Sequence, residues 1–454
     1  PSRQNSLLTH MQSLLDTFSE NNGNDLASTG NLLLILSDMQ KKPSESRTDI
    51  ATLYFQKASE YIKNNYAYPI QMLLVAFCSG IGVGFSAIFS RRLGEGDQEQ
   101  AASAVCHGFF LYGLCWLLFL LFALTGAAPF LRLSTEDPSV ARQGAQYLLI
   151  CCGLSIGTCM QFLTERILQA MGRPAGFMIV QGSGAILNLI LDPIFIFVLD
   201  LGVAGAAAAT VIGQISGALI GFWLVYRLRR QLPIRLRGFR PRGEMLAEMG
   251  RVAAPAVVMQ SLSSFMSLGL NQLLTRWSES AVFVLGAYFK LQTFIFMPIF
   301  GISSGLIPIL SYNYGSGALR RVSASVRFGQ QFTAVLSLSG ALLLSLLASP
   351  LLRSAFRASP EALAMGAPAL RIIALSFFFA GTSIIFCSAF QSLGRSRWSL
   401  LVALLRQILL LLPAAALLLA LKPALVWAAF PLSELISCFA AALLYRRTIQ
   451  KQLL

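Results

Sequence analysis

Gly80–Gly96, GIGVGFSAIFSRRLGEG, decides how this sequence is read, because it returns as Gly301–Gly317, GISSGLIPILSYNYGSG. Gly80, Ile81, Gly84, Ile88, Ser90, Gly94 and Gly96 are matched, 221 residues on, by Gly301, Ile302, Gly305, Ile309, Ser311, Gly315 and Gly317. A second echo, at an offset of 222, pairs Gln169, Gly172 and Arg173 with Gln391, Gly394 and Arg395. Each copy is an apolar run followed by a polar, glycine-bearing turn, so the chain is built from two repeats.

Outward from that stretch, the sequence alternates apolar runs with short polar breaks. The chain of 454 residues is 55% hydrophobic and 12% charged, with a mean hydropathy of +0.65, more apolar surface than one aqueous core can hide. About 20 apolar residues cross a hydrocarbon layer of about 30 Å as a helix. Eleven such runs follow Pro69: 69–90, 102–129, 144–163, 175–199, 202–226, 248–272, 281–310, 325–350, 366–390, 399–420 and 424–445. The spacing predicts an all-α polytopic membrane protein. The formal charge of +15 falls in short clusters between runs, not on one face with interleaved aromatics, which argues for anionic lipid and against nucleic acid. Both echoes keep the same polarity relative to the membrane, so the halves are parallel repeats related by an axis along the membrane normal.

Arg91 and Arg92, Arg166 and Arg173, the run Arg227 to Arg242, Arg320 and Arg321, Arg395 and Arg397, and Arg446 and Arg447 mark every second break as cytoplasmic, and put the C-terminus inside. The expected organisation is a first lobe at 66–226, a basic cytoplasmic linker at 227–247, a second lobe at 248–446 and a tail at 447–454. Residues 1–65 differ: they are rich in Asn and Lys, lack a membrane-length run and show the apolar spacing of soluble amphipathic helices. They read as a foreign segment, or a natural soluble extension, where a first membrane helix is expected. Eight cysteines, none in a CxxC pair, read as packing residues, and two histidines are too few for a histidine metal site.

Asp192 is an ionisable group within an apolar run, a costly placement that asks for a partner or a task. Asn188 lies one helical turn before it, on the same face, and Thr210 lies on the next run. Oxygen ligands suit Na⁺, and a carboxylate sheltered from water suits H⁺ uptake. The plainer alternative is that Asp192 caps the break at Pro193. In the second half, Lys290 and Glu434 also fall inside runs and as a pair would lower each other's cost, either lining a cavity with a switchable contact or pairing structurally without touching substrate. Gln292, Asn271 and Gln260 are candidate cavity liners, as are Tyr288 and Phe294, although aromatic and polar residues at such spacing more often serve helix packing.

GIGVGFSAIFSRRLGEG, Ile167–Pro174 (ILQAMGRP), Asn188–Pro193 (NLILDP), Gly205–Gln214 (GAAAATVIGQ) and Phe296–Gly317 stand in the order and spacing of a known family. From about residue 66 the chain resembles a multidrug and toxic compound extrusion (MATE) antiporter of the bacterial DinF-like and multidrug-exporter branch. Residues 1–65 do not match it and faintly resemble the N-terminal helices of a gamma-interferon. The resemblance implies two six-helix lobes, here with the first helix missing or replaced, and rocking about a central cavity. It implies export of amphiphilic, usually cationic, compounds by a monomer in exchange for H⁺ or Na⁺, with no other cofactor, in a bacterial inner membrane. The family's first-lobe cation site, an Asn, an Asp four residues later and a Thr eighteen after that, falls on Asn188, Asp192 and Thr210. A further acid on the family's first helix has no counterpart here. Gln260 stands where sodium-coupled members carry a second-lobe acid, which argues against sodium coupling there. A lipid-linked saccharide flippase of the same superfamily is the alternative, weakened because no Lys or Arg falls mid-span in the first lobe. A membrane enzyme would need interfacial His and acid clusters that the sequence lacks.

Overall fold

The structure is a computed structural model that describes residues 68–134, 138–228 and 239–447. The expectations for residues 1–65, for residues 229–238 of the basic linker and for most of the tail lie outside the described residues. The first half comprises α1 (Tyr68–Gly94), α2 (Gln98–Thr125), α3 (Ala127–Ser134), α4 (Pro138–Gly153), α5 (Ile156–Ala170), α6 (Pro174–Pro193) and α7 (Gly202–Arg227). The second comprises α8 (Gly243–Thr275), α9 (Glu279–Gly315), α10 (Leu319–Pro350), α11 (Pro360–Ala374), α12 (Phe377–Ser392), α13 (Ser396–Leu404), α14 (Leu411–Leu421) and α15 (Ala429–Tyr445). A π turn at Leu405–Leu409 joins α13 to α14 in one broken span. No strand occurs among the described residues.

Nine helices or broken helices are long and apolar enough to cross a membrane, and two bent pairs, α4 with α5 and α11 with α12, bring the number to 11. Their apolar faces point outward: only 11% of the membrane window of α6 is buried inside the protein, and Leu189 on it is 73% exposed. Lipid is the solvent that such a surface requires.

The repeat is visible as geometry. Gly96, Gly172, Gly317 and Gly394 all take a left-handed φ of 72–77°. At each, the next residue's N–H reaches back five residues: Asp97 to Arg92, Arg173 to Leu168, Ala318 to Asn313 and Arg395 to Phe390. This is one helix-ending turn used four times, and only glycine enters it without a Cβ clash. The bent pairs add an echo: the breaks fall at Leu154-Ser155 and Leu375-Ser376, again 221 residues apart, and bend the spans by 41° and 44°. Both serines turn their hydroxyls back onto the preceding turn, Ser155 to Cys152 O (2.7 Å) and Ser376 to Ile373 O (2.6 Å).

Each half has its own core, one running from Leu74 to Met249 and another from Leu270 to Phe430. The seam between them is formed by α1 against α8 and α9. Small residues let the backbones meet: a Cβ on Gly80 would come within 2.7 Å of Val257 N, and one on Gly84 within 2.6 Å of Met249 O. Their counterparts Gly301 and Gly305 face open space among the described residues. One end of the seam is basic and tied by charge. Arg91 and Arg92 reach Glu248 at 3.3 and 3.0 Å, and Arg91 also donates to Ser392 O at 3.4 Å.

Candidate transport site

A cavity of about 1200 Å³ lies between the halves. Ser79, Gly80 and Val83 of α1 and Arg166 of α5 form one wall, and α8, α9, α12, Ala403 of α13 and the π turn form the rest. Gln260, Asn271 and Gln292, expected as liners, face it. Gln260 donates to Ser79 Oγ at 3.0 Å across the seam. Methionines and phenylalanines, among them Met259, Met266, Phe289 and Phe300, supply the apolar part of the wall. Amide, hydroxyl and thioether groups over aromatic faces suit a ligand with a flat or flexible apolar body and a polar end.

In the first half, the structure brings Asn188, Asp192 and Thr210 together. Asn188 Nδ2 donates to Asp192 Oδ1 at 3.2 Å and to Thr210 Oγ1 at 3.4 Å, while Thr210 Oγ1 donates to Ala206 O at 2.9 Å. All three are partly exposed and stand outside the wall of the central cavity. Asp192 closes α6 immediately before Pro193, and the chain passes from there into the π turn Ile194–Val198. A turn interrupted by proline leaves backbone carbonyls short of their usual donors, and carbonyl oxygens beside a carboxylate are cation ligands.

The expected pair in the second half is wrong in one partner. Glu434 binds Arg406, whose Nε lies 2.8 Å from Glu434 Oε1, and both side chains are nearly buried. Lys290 is exposed and neither lines the cavity nor pairs with Glu434. Helix geometry gives the reason. Tyr288 packs its ring on Phe430 of α15 at 5.2 Å, so the Tyr288 face of α9 looks toward the last helix. Lys290, two residues on, is rotated by roughly 200° away from it. Phe294 likewise points away from the cavity, and Tyr288 is buried in the core. Arg406 lies within an apolar run, but it sits on the π turn, whose register aims it at α15.

Two further groups lie just past the apolar run 144–163, where hydropathy drops and gives no sign of a continuing span. The helix continues to Ala170, since Glu165 and Arg166 find their partners inside the protein. Glu165, 3% exposed, accepts from Gln161 Nε2 at 2.9 Å, and the same amide donates to Gln181 Oε1 at 3.0 Å. The Gln161–Glu165 spacing of one helical turn was the available signal. Arg166, 9% exposed, is drawn onto the cavity wall, which corrects the expectation that it marks a polar break and that no Lys or Arg falls mid-span in the first lobe. Three of the cysteines, Cys78, Cys115 and Cys159, converge from three helices with their sulfurs within 4.8 Å of one another, a proximity the sequence did not reveal.

Two parallel-repeat lobes of membrane-crossing helices around a shared cavity define a multi-pass membrane transport protein. The chain belongs to the MatE family, whose model matches residues 65–194 and 255–417. That family is one of transporters, not enzymes. The multidrug export protein MepA of Staphylococcus aureus (strain MRSA252) is 26% identical over 355 residues, 76% of each chain. MepA of Staphylococcus saprophyticus is 26% identical over 348 residues. A solved structure described as an outward-facing multidrug resistance MATE family transporter of the MOP superfamily superposes with a TM-score of 0.81. It is 22% identical and covers 87% of this chain and 88% of that one, a likeness of fold.

Proposed function

We propose that this protein exports amphiphilic small molecules through the cavity between its lobes, in exchange for H⁺ or Na⁺ taken up at Asp192, Asn188 and Thr210. The observation that carries this reading is the separation of two unlike sites: a large amphiphilic cavity shared by both lobes, and a carboxylate cluster within one lobe. Coupling needs such a separation, because an ion held in one lobe changes which arrangement of the pair is favoured without competing for the substrate's space. The lobes rock about the α1, α8 and α9 seam, as parallel repeats do. The names of the staphylococcal relatives, multidrug export proteins, support the substrate breadth. The basic end of the seam faces the cytoplasm of a bacterial inner membrane, the side favoured by Arg-rich breaks, and the protein acts as a monomer.

The test is efflux by the full chain in a host stripped of its own exporters. Fluorescent amphiphiles of either charge should accumulate less in cells making the protein, and a protonophore or removal of sodium should restore accumulation. Unchanged accumulation of every amphiphile, from a protein confirmed in the membrane, overturns the reading.

A further inference from the structure

Arg166 is a buried cation that makes no ion pair among the described residues. Its Nη1 donates to Gln169 Oε1 at 3.0 Å and to Ser304 Oγ at 2.6 Å, both neutral, the second across the seam in the other lobe. The ion pairs among the described residues are Arg91–Glu248, Arg92–Glu95, Arg92–Glu248 and Arg406–Glu434, and Arg166 is in none of them. Glu165, its neighbour in sequence, lies near enough to feel the guanidinium's charge but accepts its hydrogen bond from Gln161, and it does not line the cavity. The other guanidinium on the cavity wall, Arg406, is neutralised by Glu434, and no Asp or Glu lines the cavity among the described residues. Among the described residues the wall therefore carries one net positive charge, at Arg166.

The position is built. A Cβ on Gly82 of α1 would stand 2.9 Å from Arg166 Nε and 2.9 Å from the Tyr112 hydroxyl, so the glycine makes the space the guanidinium occupies. A charge withdrawn from water in a membrane protein keeps its place by pairing, and Arg in particular offers a planar fork that matches a carboxylate or phosphate.

We propose, on the reading of the cavity as an export site, that its substrate is an amphiphile bearing a carboxylate, sulfonate or phosphate, whose anionic group forms an ion pair with Arg166. Met259, Met266, Phe296, Met297 and Phe300 hold the apolar body, and their flexible and aromatic surfaces admit more than one shape. A lipophilic cation would meet like charge at the seam. Because Arg166 already bridges to Ser304, an anion drawn onto the guanidinium competes with that hydrogen bond and so loosens a contact between the lobes as it binds.

The anion has two sources, a free amphiphile or a lipid-linked phosphate, and binding to the full chain in discs of neutral lipid separates them. Dansylglycine and dansylcadaverine share a fluorophore and differ in the sign of their charge. Dansylglycine should bind saturably and at least tenfold more tightly than dansylcadaverine. Arg166→Gln should weaken it at least tenfold and leave dansylcadaverine unchanged or stronger, while Arg166→Lys keeps most of the affinity. A misfolded variant would lose both probes, so the cation guards the comparison. Displacement of dansylglycine by a long-chain prenyl phosphate in the wild type, but not in Arg166→Gln, assigns the lipid-linked source. Absence of displacement assigns the free one, and either supports the anionic class. Tighter binding of dansylcadaverine, or dansylglycine affinity indifferent to Arg166→Gln, overturns the proposal and leaves the export reading standing. If neither probe binds, both fall.

Discussion

Gly94 and Gly315, repeat counterparts 221 residues apart in the chain, face each other at the basic end of the seam: a Cβ on Gly94 would strike Tyr312 O, and one on Gly315 would strike Arg91 O. Each glycine thus seats the other repeat's backbone, which is why the echo retains both. Backbone cannot swing aside as a side chain can. Gly94→Ala and Gly315→Ala should each cost about 1–3 kcal/mol at the seam, the range for overpacking. The measurement is thermal unfolding of the purified protein, with labelling of a cysteine placed at Ser303 as a report of cavity opening. Both variants should melt lower and label faster from the basic side. Gly286→Ala, where nothing lies within 4 Å of the new Cβ, is the control. Melting curves that match the control would remove the seam from the account.

Asp192→Asn preserves size and a hydrogen-bonding partner for Asn188 but removes the charge. Dye binding should persist while ion-driven efflux stops. Asn188→Ala and Thr210→Val should each reduce efflux less, since each removes one neutral ligand. The assay is dye efflux from cells against an imposed proton or sodium gradient. Efflux near the wild-type rate in Asp192→Asn would move the coupling site elsewhere.

Glu434→Gln leaves Arg406 buried without its anion, and breaking a buried pair on one side costs about 3–5 kcal/mol. Replacing both, as Arg406→Met with Glu434→Leu, should recover most of that loss, because two desolvated charges are exchanged for apolar packing. Thermal stability in detergent measures both. If Glu434→Gln melts with the wild type, the pair contributes nothing. If instead it matches Asp192→Asn in abolishing coupling at normal stability, the second lobe holds the coupling site.

Single cysteines at Arg240 and Arg446 should react with an impermeant maleimide only from the cytoplasm, and one at Glu279, at the far end of α9, only from outside. Intact cells and inverted vesicles provide the two sides. Outside labelling at Arg240 or Arg446 reverses the orientation.

Lys290 and Arg166 mark where reading along the chain failed, and for opposite reasons. Lys290 stood inside an apolar run and so was credited with a partner, but its helix turned it outward. Arg166 stood just beyond a run and was read as part of a polar break, but a continuous helix carried it into the wall of the cavity. The cluster of Asn188, Asp192 and Thr210 fared better because two of its members share one helical face and the third is on the adjacent helix in the chain.

The sequence by itself determined what depends on length, period and backbone conformation. Apolar runs matched to a bilayer's thickness specify the spans, and an offset of 221 or 222 specifies the parallel repeat. Glycines at the ends of those runs specify the left-handed turns at Gly96, Gly172, Gly317 and Gly394, since other residues pay a steric cost there. Only the tertiary structure decided which charges meet. Arg406 finds Glu434 across 28 residues, Arg91 finds Glu248 across 157, and Arg166 reaches Ser304 across 138 and forms no ion pair among the described residues. Pairing strength falls steeply with distance, and distances between helices are fixed by the packing of all of them, which no local pattern along the chain encodes.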